Sequence, residues 1–256
     1  MQVVILAGGL GTRISEESHL KPKPMIEIGG RPLLWHVMKV FGAYGLTDFI
    51  ICCGYKGYVI KEYFANYPLH MSDVTIDVAK STIKTQVNTA EPWKVTLVDT
   101  GDHAGTGGRL RQIKKYINGP FCMTYGDGVA DVDIEKLVLF HNRIGKQATV
   151  TGVTPASRFG SMKIEADLVT DFKEKPSQLN QTWINGGFFV LEQSVLDLIE
   201  DDAEFFEQTP MEKLVSQKQL AVHRHYGFWH AMDTLKDKNQ LEQLWASGKA
   251  PWKVWE

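Results

Sequence analysis

The sequence predicts an α/β protein built on a mainly parallel, mixed sheet with helices on both faces. Three observations predict it. Strand-like and helix-like segments alternate roughly every 20 residues up to about residue 154, the pattern of strand–helix–strand units whose crossovers cover both sides of a parallel sheet. The first strand runs directly into a glycine-rich turn, Gly8-Gly9-Leu10-Gly11. After Pro155 the pattern changes to strands separated by tight turns, which predicts extra antiparallel strands in the C-terminal half. No linker, repeat or low-complexity tract divides the chain. Residues 1–256 therefore read as one domain, with 155–256 laid on the same sheet as 1–154.

Each element has its own local reason. Val3 to Ala7 is a short apolar run and reads as a buried strand. In "RPLLWHVMKVFGAYG", Leu34, Val37, Met38 and Phe41 share one helical face, with Pro32 at the start and Gly45 past the end. "DFIICCG" is a buried strand, and the spacing of Ile60, Tyr63, Phe64 and Tyr67 makes "YVIKEYFANY" a helix. Residues 68–92, bounded by Pro68 and Pro92, have no clear period and read as a long, partly extended excursion. "KVTLVDT" is a strand, and "GGRLRQIKKYING" a helix turning Leu110, Ile113 and Ile117 inward. "PFCMTYGDG" is a strand ending in a turn, "DIEKLVLFHNRIG" a helix capped by Asp133 and closed by Gly145, and "ATVTGVT" a further strand. In the second half, "MKIEA", "VTDFKEK" and "INGGFFVLE" read as strands. Helical segments near 194–200 and 211–218 follow, then the strand "LAVHRHYGFW" and the closing helix "TLKDKNQLEQLWASG".

Composition excludes several classes. The chain of 256 residues is 43% hydrophobic and 23% charged, as globular proteins are. A chain of this size buries roughly 75% of its unfolded surface and needs no staples. A net charge of -2 argues against nucleic acid as a partner, so any anion site must come from local clustering of cations. Cys52, Cys53 and Cys122 sit in apolar strand-like runs without a C-x-x-C pair, which reads as buried, reduced thiols in the cytoplasm. No apolar stretch approaches the ~20 residues that span a membrane, and the N-terminus starts on a strand without a basic leader.

The glycine turn is followed by Arg13, Lys21 and Lys23, with Pro22 and Pro24 stiffening the backbone around Lys23. A dinucleotide fingerprint fails because its third glycine position is Ile14 and no acidic residue ends the next strand; a Walker loop is absent. A plain turn with positive φ at Gly8 or Gly9 would leave the cations unexplained, so the turn reads as a cradle for an anion. Asp127 lies between two glycines at the C-terminal end of a strand, the edge where open α/β sheets hold ligands. It is a candidate magnesium ligand or a turn residue; Asp233, just before the last helix, is a second candidate or an N-cap. Asp133 reads better as a helix cap, and Asp131 stays undecided. His223 and His225 share a strand face without an evident third metal ligand. Trp252 and Trp255 either fold back on the core or form a subunit contact.

"LAGGLGTR" followed by "KPKPMIEIGGRPLLWH" resembles the sugar-nucleotide pyrophosphorylases. Within them, "EPWKVTLVDTGD", "TYGDGVADVDI", "INGGFFVL", "GFWHAMDT" and "GKAPWKVWE" are similar to the glucose-1-phosphate cytidylyltransferases, so the resemblance runs the length of the chain. It implies a Rossmann-like nucleotidyltransferase fold, a homo-oligomer and a Mg²⁺ cofactor. The implied reaction joins CTP and α-D-glucose 1-phosphate into CDP-glucose and pyrophosphate, a precursor step for deoxysugars and surface polysaccharide such as O-antigen. It further implies a nucleotide site formed by Leu6, Ala7, Gly8, Gly9, Leu10, Gly11, Thr12, Arg13, Lys23, Thr106, Arg109 and Gly126. Arg13 would clamp the β- and γ-phosphates and Lys23 would act at the α-phosphorus, the pair being catalytic. Gly160, Glu174, Lys175 and Asn185 would hold the sugar phosphate, and Asp127 with Asp233 the metal.

Base choice is expected in the crevice between the 8–11 loop and the 104–109 segment, where glycines 8, 9, 107 and 108 would permit close backbone. Three departures from the family pattern stand out: His230-Ala231 in place of Gln-Pro, the small Ala104-Gly105 pair, and residues 79–90. UTP, dTTP or GTP as the nucleotide remains open, as does a non-catalytic nucleotide-sensing subunit. "DVD" at 131–133 formally matches the metal motif of a glycosyltransferase, but the N-terminal loop and "GDGVAD" favour nucleotidyl transfer.

Overall fold

The computed structural model describes residues 1–11, 21–154, 161–165, 168–173 and 182–256. The first half runs β1 (Gln2–Leu6), β2 (Glu27–Ile28), β3 (Arg31–Pro32), α1 (Leu33–Gly42), β4 (Asp48–Cys53), α2 (Gly57–His70), β5 (Ser72–Asp77), β6 (Thr82–Asn88) and β7 (Lys94–Asp99). It continues with α3 (Thr106–Gln112), β8 (Phe121–Tyr125), β9 (Gly128–Ala130), α4 (Ile134–Ile144) and β10 (Ala148–Val153). The second half supplies β11 (Ser161–Glu165), β12 (Leu168–Lys173), β13 (Ile184–Leu191), α5 (Thr209–Ser216), β14 (Leu220–Arg224), β15 (Trp229–Ala231) and α6 (Leu235–Ala246).

Seven strands form one sheet in the order β14-β10-β13-β8-β1-β4-β7. All its pairings are parallel except those of β13, which runs against both β8 and β10. The alternation along β1 divides the core: Val3 and Ile5 join a cluster with α1, while Val4 and Leu6 join one with Leu110 and Ile113. Both faces are thus covered, as parallel sheets require. The register pairs Leu6 with both Cys52 and Tyr125, so β1, β4 and β8 end together. The chain segments leaving that edge build the candidate site.

Several expectations need correction. Helix α2 continues past Pro68 to His70, because a proline near the last turn forfeits only its own N–H. The expected excursion at 68–92 is mostly a hairpin, β5 against β6, with Ile76 opposite Ile83. The helix expected through Ile117 stops at Gln112 and gives way to a single 3₁₀ turn at Lys114–Tyr116. The strand expected from 220 to 229 breaks after Arg224, and its continuation, β15, pairs instead with β9. His223 and His225 therefore do not share a strand face. His225 lies beyond β14 with Nε2 2.9 Å from Asp131 Oδ1, and His223 packs on the Phe140 ring. Among the described residues no group of three potential metal ligands occurs.

The C-terminal tail folds back. Trp252 is fully buried, stacks on Phe228 and Trp245, and donates its indole N–H to His36 Nδ1 at 3.4 Å. The three cysteines are free and buried, as expected, and burial pushes Cys53 up to about 11 and Cys122 up to about 12. They are packing groups, not nucleophiles. Among the described residues no helix is long and apolar enough to cross a membrane.

Candidate active site

The glycine turn is set by what lies behind it. Ala7 N–H still bonds Cys52 O at 3.0 Å, and Gly8 O accepts from Tyr55 N–H and from Arg109 Nη2 at 2.9 Å. A Cβ on Gly8 would fall 2.1 Å from Arg109 Nη1, so only glycine fits there. Among the described residues nothing lies within 4 Å of the missing Cβ of Gly9, and Gly11 has φ +64°. Arg109, only 4% exposed, also donates to Thr100 Oγ1 at 2.6 Å, Gly101 O at 2.8 Å and Cys53 O at 3.3 Å. Its guanidinium ties the ends of β1, β4 and β7 into one rim. Burial pulls its pKa below the usual arginine value.

Gly107 and Gly108 do not offer their open faces to a base. A Cβ on Gly108 would sit 1.9 Å from Asp202 O, and one on Gly107 2.8 Å from Glu204 O. These glycines, with Gly105, let the 202–206 segment lie directly on the start of α3, where Gly108 N–H bonds Glu204 O at 3.1 Å.

The two prolines were expected to hold Lys23 extended; Lys23 is instead helical, because Pro24 sits in the first turn of a 3₁₀ helix, where a missing N–H costs nothing. Pro22 is extended, Lys23 opens a 3₁₀ turn, and the lysine is 8% exposed. Its Nζ lies 2.8 Å from Asp127 Oδ2 and 2.8 Å from Asp233 Oδ1. Burial opposes its charge, but the Asp127 and Asp233 carboxylates outweigh burial and hold its pKa above the ordinary lysine value.

The break between β14 and β15 creates this knot. Ala231 pairs with Gly128, and Met232 N–H bonds Asp127 O at 2.8 Å, which delivers Asp233 beside Asp127. Asp233 is not the helix cap. Thr234 caps α6 in a capping box with Asp237, and Asp237 Oδ2 also accepts Asp233 N–H at 3.1 Å. His230, at the departing dipeptide, stands with Nε2 3.3 Å from Asp237 Oδ1 and so backs the group that fixes Asp233. Asp133 caps α4 as expected.

Two clefts meet here. One, of about 340 Å³, is lined by Gly8, Gly9, Gly11, Lys23, Ala104, Arg109 and Phe205. The other, of about 550 Å³, is lined by Asn185, Gly186, Gly187, Glu207 and Trp229. Thr106, Tyr125, Asp127 and Asp233 belong to both. Each is of small-ligand size. Tyr125 donates to Glu207, Thr106 donates to the other oxygen of that carboxylate, and Asn185 Nδ2 reaches Tyr125 at 3.4 Å. Burial first, then Glu207, raises the Tyr125 pKa, which keeps the phenol a donor. Gly126 N–H bonds Leu6 O, closing the wall beneath the knot.

Sequence reasoning missed Phe205, Glu207, Tyr125 and Trp229. The signal for Phe205 was an exposed aromatic next to a buried one; for Glu207 no local pattern existed. Thr12, Arg13, Gly160, Glu174 and Lys175 lie outside the described residues.

Two carboxylates that converge on one ammonium can converge on a metal. The donors are hard oxygens, and there are two of them, which fits Mg²⁺ completed by phosphate oxygens and water. A divalent cation held there would give the wall shared by the two clefts a positive centre.

Comparison with known proteins agrees with this architecture. A nucleotidyl transferase family model matches residues 2–245. The chain is 57% identical over 258 residues to a Salmonella typhi protein named glucose-1-phosphate cytidylyltransferase, with 100% of each chain covered. The crystal structure of HddC from Yersinia pseudotuberculosis is 24% identical with a TM-score of 0.69, over 95% of this chain and 99% of that one. An apo UDP-glucose pyrophosphorylase gives 14% and 0.69, over 97% and 98%. These two structures share the fold.

Proposed function

The chain belongs to the nucleotidyl transferase family, and from that premise we infer that it transfers a cytidylyl group from CTP to glucose 1-phosphate, giving CDP-glucose and pyrophosphate. The observation that carries this reading is the 57% identity over the whole length of the Salmonella typhi protein. The two clefts meeting at Lys23, Asp127 and Asp233 support the reaction class. CTP enters the cleft beside the glycine turn, and the sugar phosphate enters the cleft beside Asn185 and Trp229. A phosphate oxygen of the sugar attacks the α-phosphorus, a new P–O bond forms, and the bond to the pyrophosphate oxygen breaks.

Such a step is governed by positioning and charge neutralisation. The open backbone at Gly9 lets the triphosphate approach closely. Lys23 neutralises charge building at the α-phosphorus, and Arg13 clamps the β- and γ-phosphates. Gly160, Glu174 and Lys175 contribute to the sugar side together with Asn185. Asp127 and Asp233 would hold Mg²⁺, which would supply charge neutralisation for phosphate. A purely nucleotide-sensing role would not require a lysine and two carboxylates converging between two clefts.

The protein works in the cytoplasm, and its product feeds enzymes that modify or polymerise sugars. It assembles as a homo-oligomer. The exposed apolar side chains of the β5–β6 hairpin, Ile76 at 59%, Val78 at 83% and Ile83 at 55%, support that assembly. The buried Trp252 lends it no support. Incubating the protein with CTP, glucose 1-phosphate and magnesium and identifying the products tests the function. CDP-glucose and pyrophosphate in equal amounts are expected; no pyrophosphate release from CTP would refute it.

A further inference from the structure

We propose that Glu207 reads the hexose, accepting a hydrogen bond from one of its ring hydroxyls. The proposal rests on the reading of the second cleft as the sugar-phosphate site. Phe206 is fully buried and its N–H bonds Thr106 Oγ1 at 2.9 Å, so the chain is anchored there and its two neighbours turn outward. Phe205 lines the cleft beside the glycine turn, whereas Glu207 lines the other cleft.

The Glu207 carboxylate is held by both oxygens, one by the Tyr125 hydroxyl and one by Thr106. A carboxylate offers about four acceptor positions. Two donors orient it and leave capacity facing the cleft. The ordering cost of a flexible glutamate is thereby met before any ligand arrives, which favours its use in recognition. Asp127 and Asp233 line the same cleft and hold the Lys23 ammonium between them, so a sugar phosphate drawn to that ammonium, or to a cation the carboxylates would hold, brings its ring alongside Glu207. Trp229, fixed by its N–H to Gly186 O at 2.7 Å, adds an apolar indole surface to the wall. The nucleotide ribose is a poorer partner, because Glu207 does not line the first cleft.

The test compares glucose 1-phosphate with its 2-, 3-, 4- and 6-deoxy analogues, at saturating CTP, in the wild type, Glu207→Gln and Glu207→Ala. Loss of a hydrogen bond to a charged acceptor costs roughly 10- to 100-fold in kcat/KM. The wild type should discriminate against at least one deoxy analogue by that factor. Both variants should lose a similar factor on glucose 1-phosphate and lose nothing more on that analogue. If the variants depress all five substrates by one common factor, Glu207 only braces Tyr125 and Thr106 and the proposal fails. Wild-type turnover of glucose 1-phosphate reports on the parent reading separately: an inactive wild type overturns both, while an active one with unchanged discrimination in the variants overturns Glu207 alone.

Discussion

Asp127 and Asp233 share one cation: Lys23 Nζ stands 2.8 Å from Oδ2 of the first and 2.8 Å from Oδ1 of the second. Residues far apart in the chain reach this point by three separate devices. A proline frame presents the lysine, a strand end presents Asp127, and the β9–β15 pairing presents Asp233. The lysine charge is directed by the two carboxylates, and the carboxylates are directed by the lysine.

Lys23→Ala should remove most activity. Loss of a preorganised charge at such a site costs roughly 10²–10³ in turnover. The carboxylates are partly exposed, at 39% and 29%, so water can hydrate them and the thermal midpoint should move little. Steady-state kinetics beside a melting curve separates the two effects, and near-normal turnover would remove Lys23 from the reaction.

Lys23 also occupies the place where the two carboxylates would hold a metal. Lys23→Met should therefore bind Mn²⁺ more tightly than the wild type when nucleotide is absent, by calorimetry. Asp127→Asn and Asp233→Asn should each raise the magnesium concentration needed for half-maximal rate by tenfold or more, roughly the cost of one charge-assisted ligand. Unchanged magnesium curves in both aspartate variants would leave them as structural residues.

The C-terminal tail makes stability pH-dependent. His36 is fully buried, donates to Ile28 O at 2.8 Å and accepts from Trp252, so it is neutral in the fold. Burial lowers its pKa from 6.5 to about 4. The unfolded chain therefore binds more protons between those values. The stabilisation is complete above pH 6.5 and is lost as pH falls toward 4, in total about 3 kcal/mol. Thermal midpoints measured from pH 7 to 4 should fall more steeply in the wild type than in His36→Gln. Parallel slopes would show that His36 does not carry the effect.

The sheet was legible because both of its faces are buried: apolar runs such as "DFIICC", too short for a helix and bounded by turn residues, read as central strands. Lys23 and Asp127 were legible for local reasons, a proline on each side of one and glycines flanking the other. Three features were not. The break after Arg224 depends on Gly227, whose missing Cβ would lie 2.4 Å from Asp131 Oδ1, a contact between distant segments. Glu207 and Phe205 take their places only because 202–206 lies on the glycines of α3. The burial of Trp252 depends on His36 and Phe228, neither of which is near it in sequence.

Base choice is the central claim, and it is not carried by the residues that hold phosphate. Cytosine and uracil differ at one edge, an amino donor against a carbonyl acceptor. A buried acceptor facing that edge is left unpaired against uracil, at about 1–3 kcal/mol, or roughly 5- to 150-fold. The expected place for that edge is the crevice between the 8–11 loop and residues 104–109, where Gly8, Gly9, Gly11, Ala104, Thr106 and Arg109 line one cleft. The direct measurement is kcat/KM for CTP, UTP, dTTP and GTP at fixed glucose 1-phosphate. CTP should exceed each of the others by at least fivefold; equal values, or a preference for UTP or dTTP, would contradict the account.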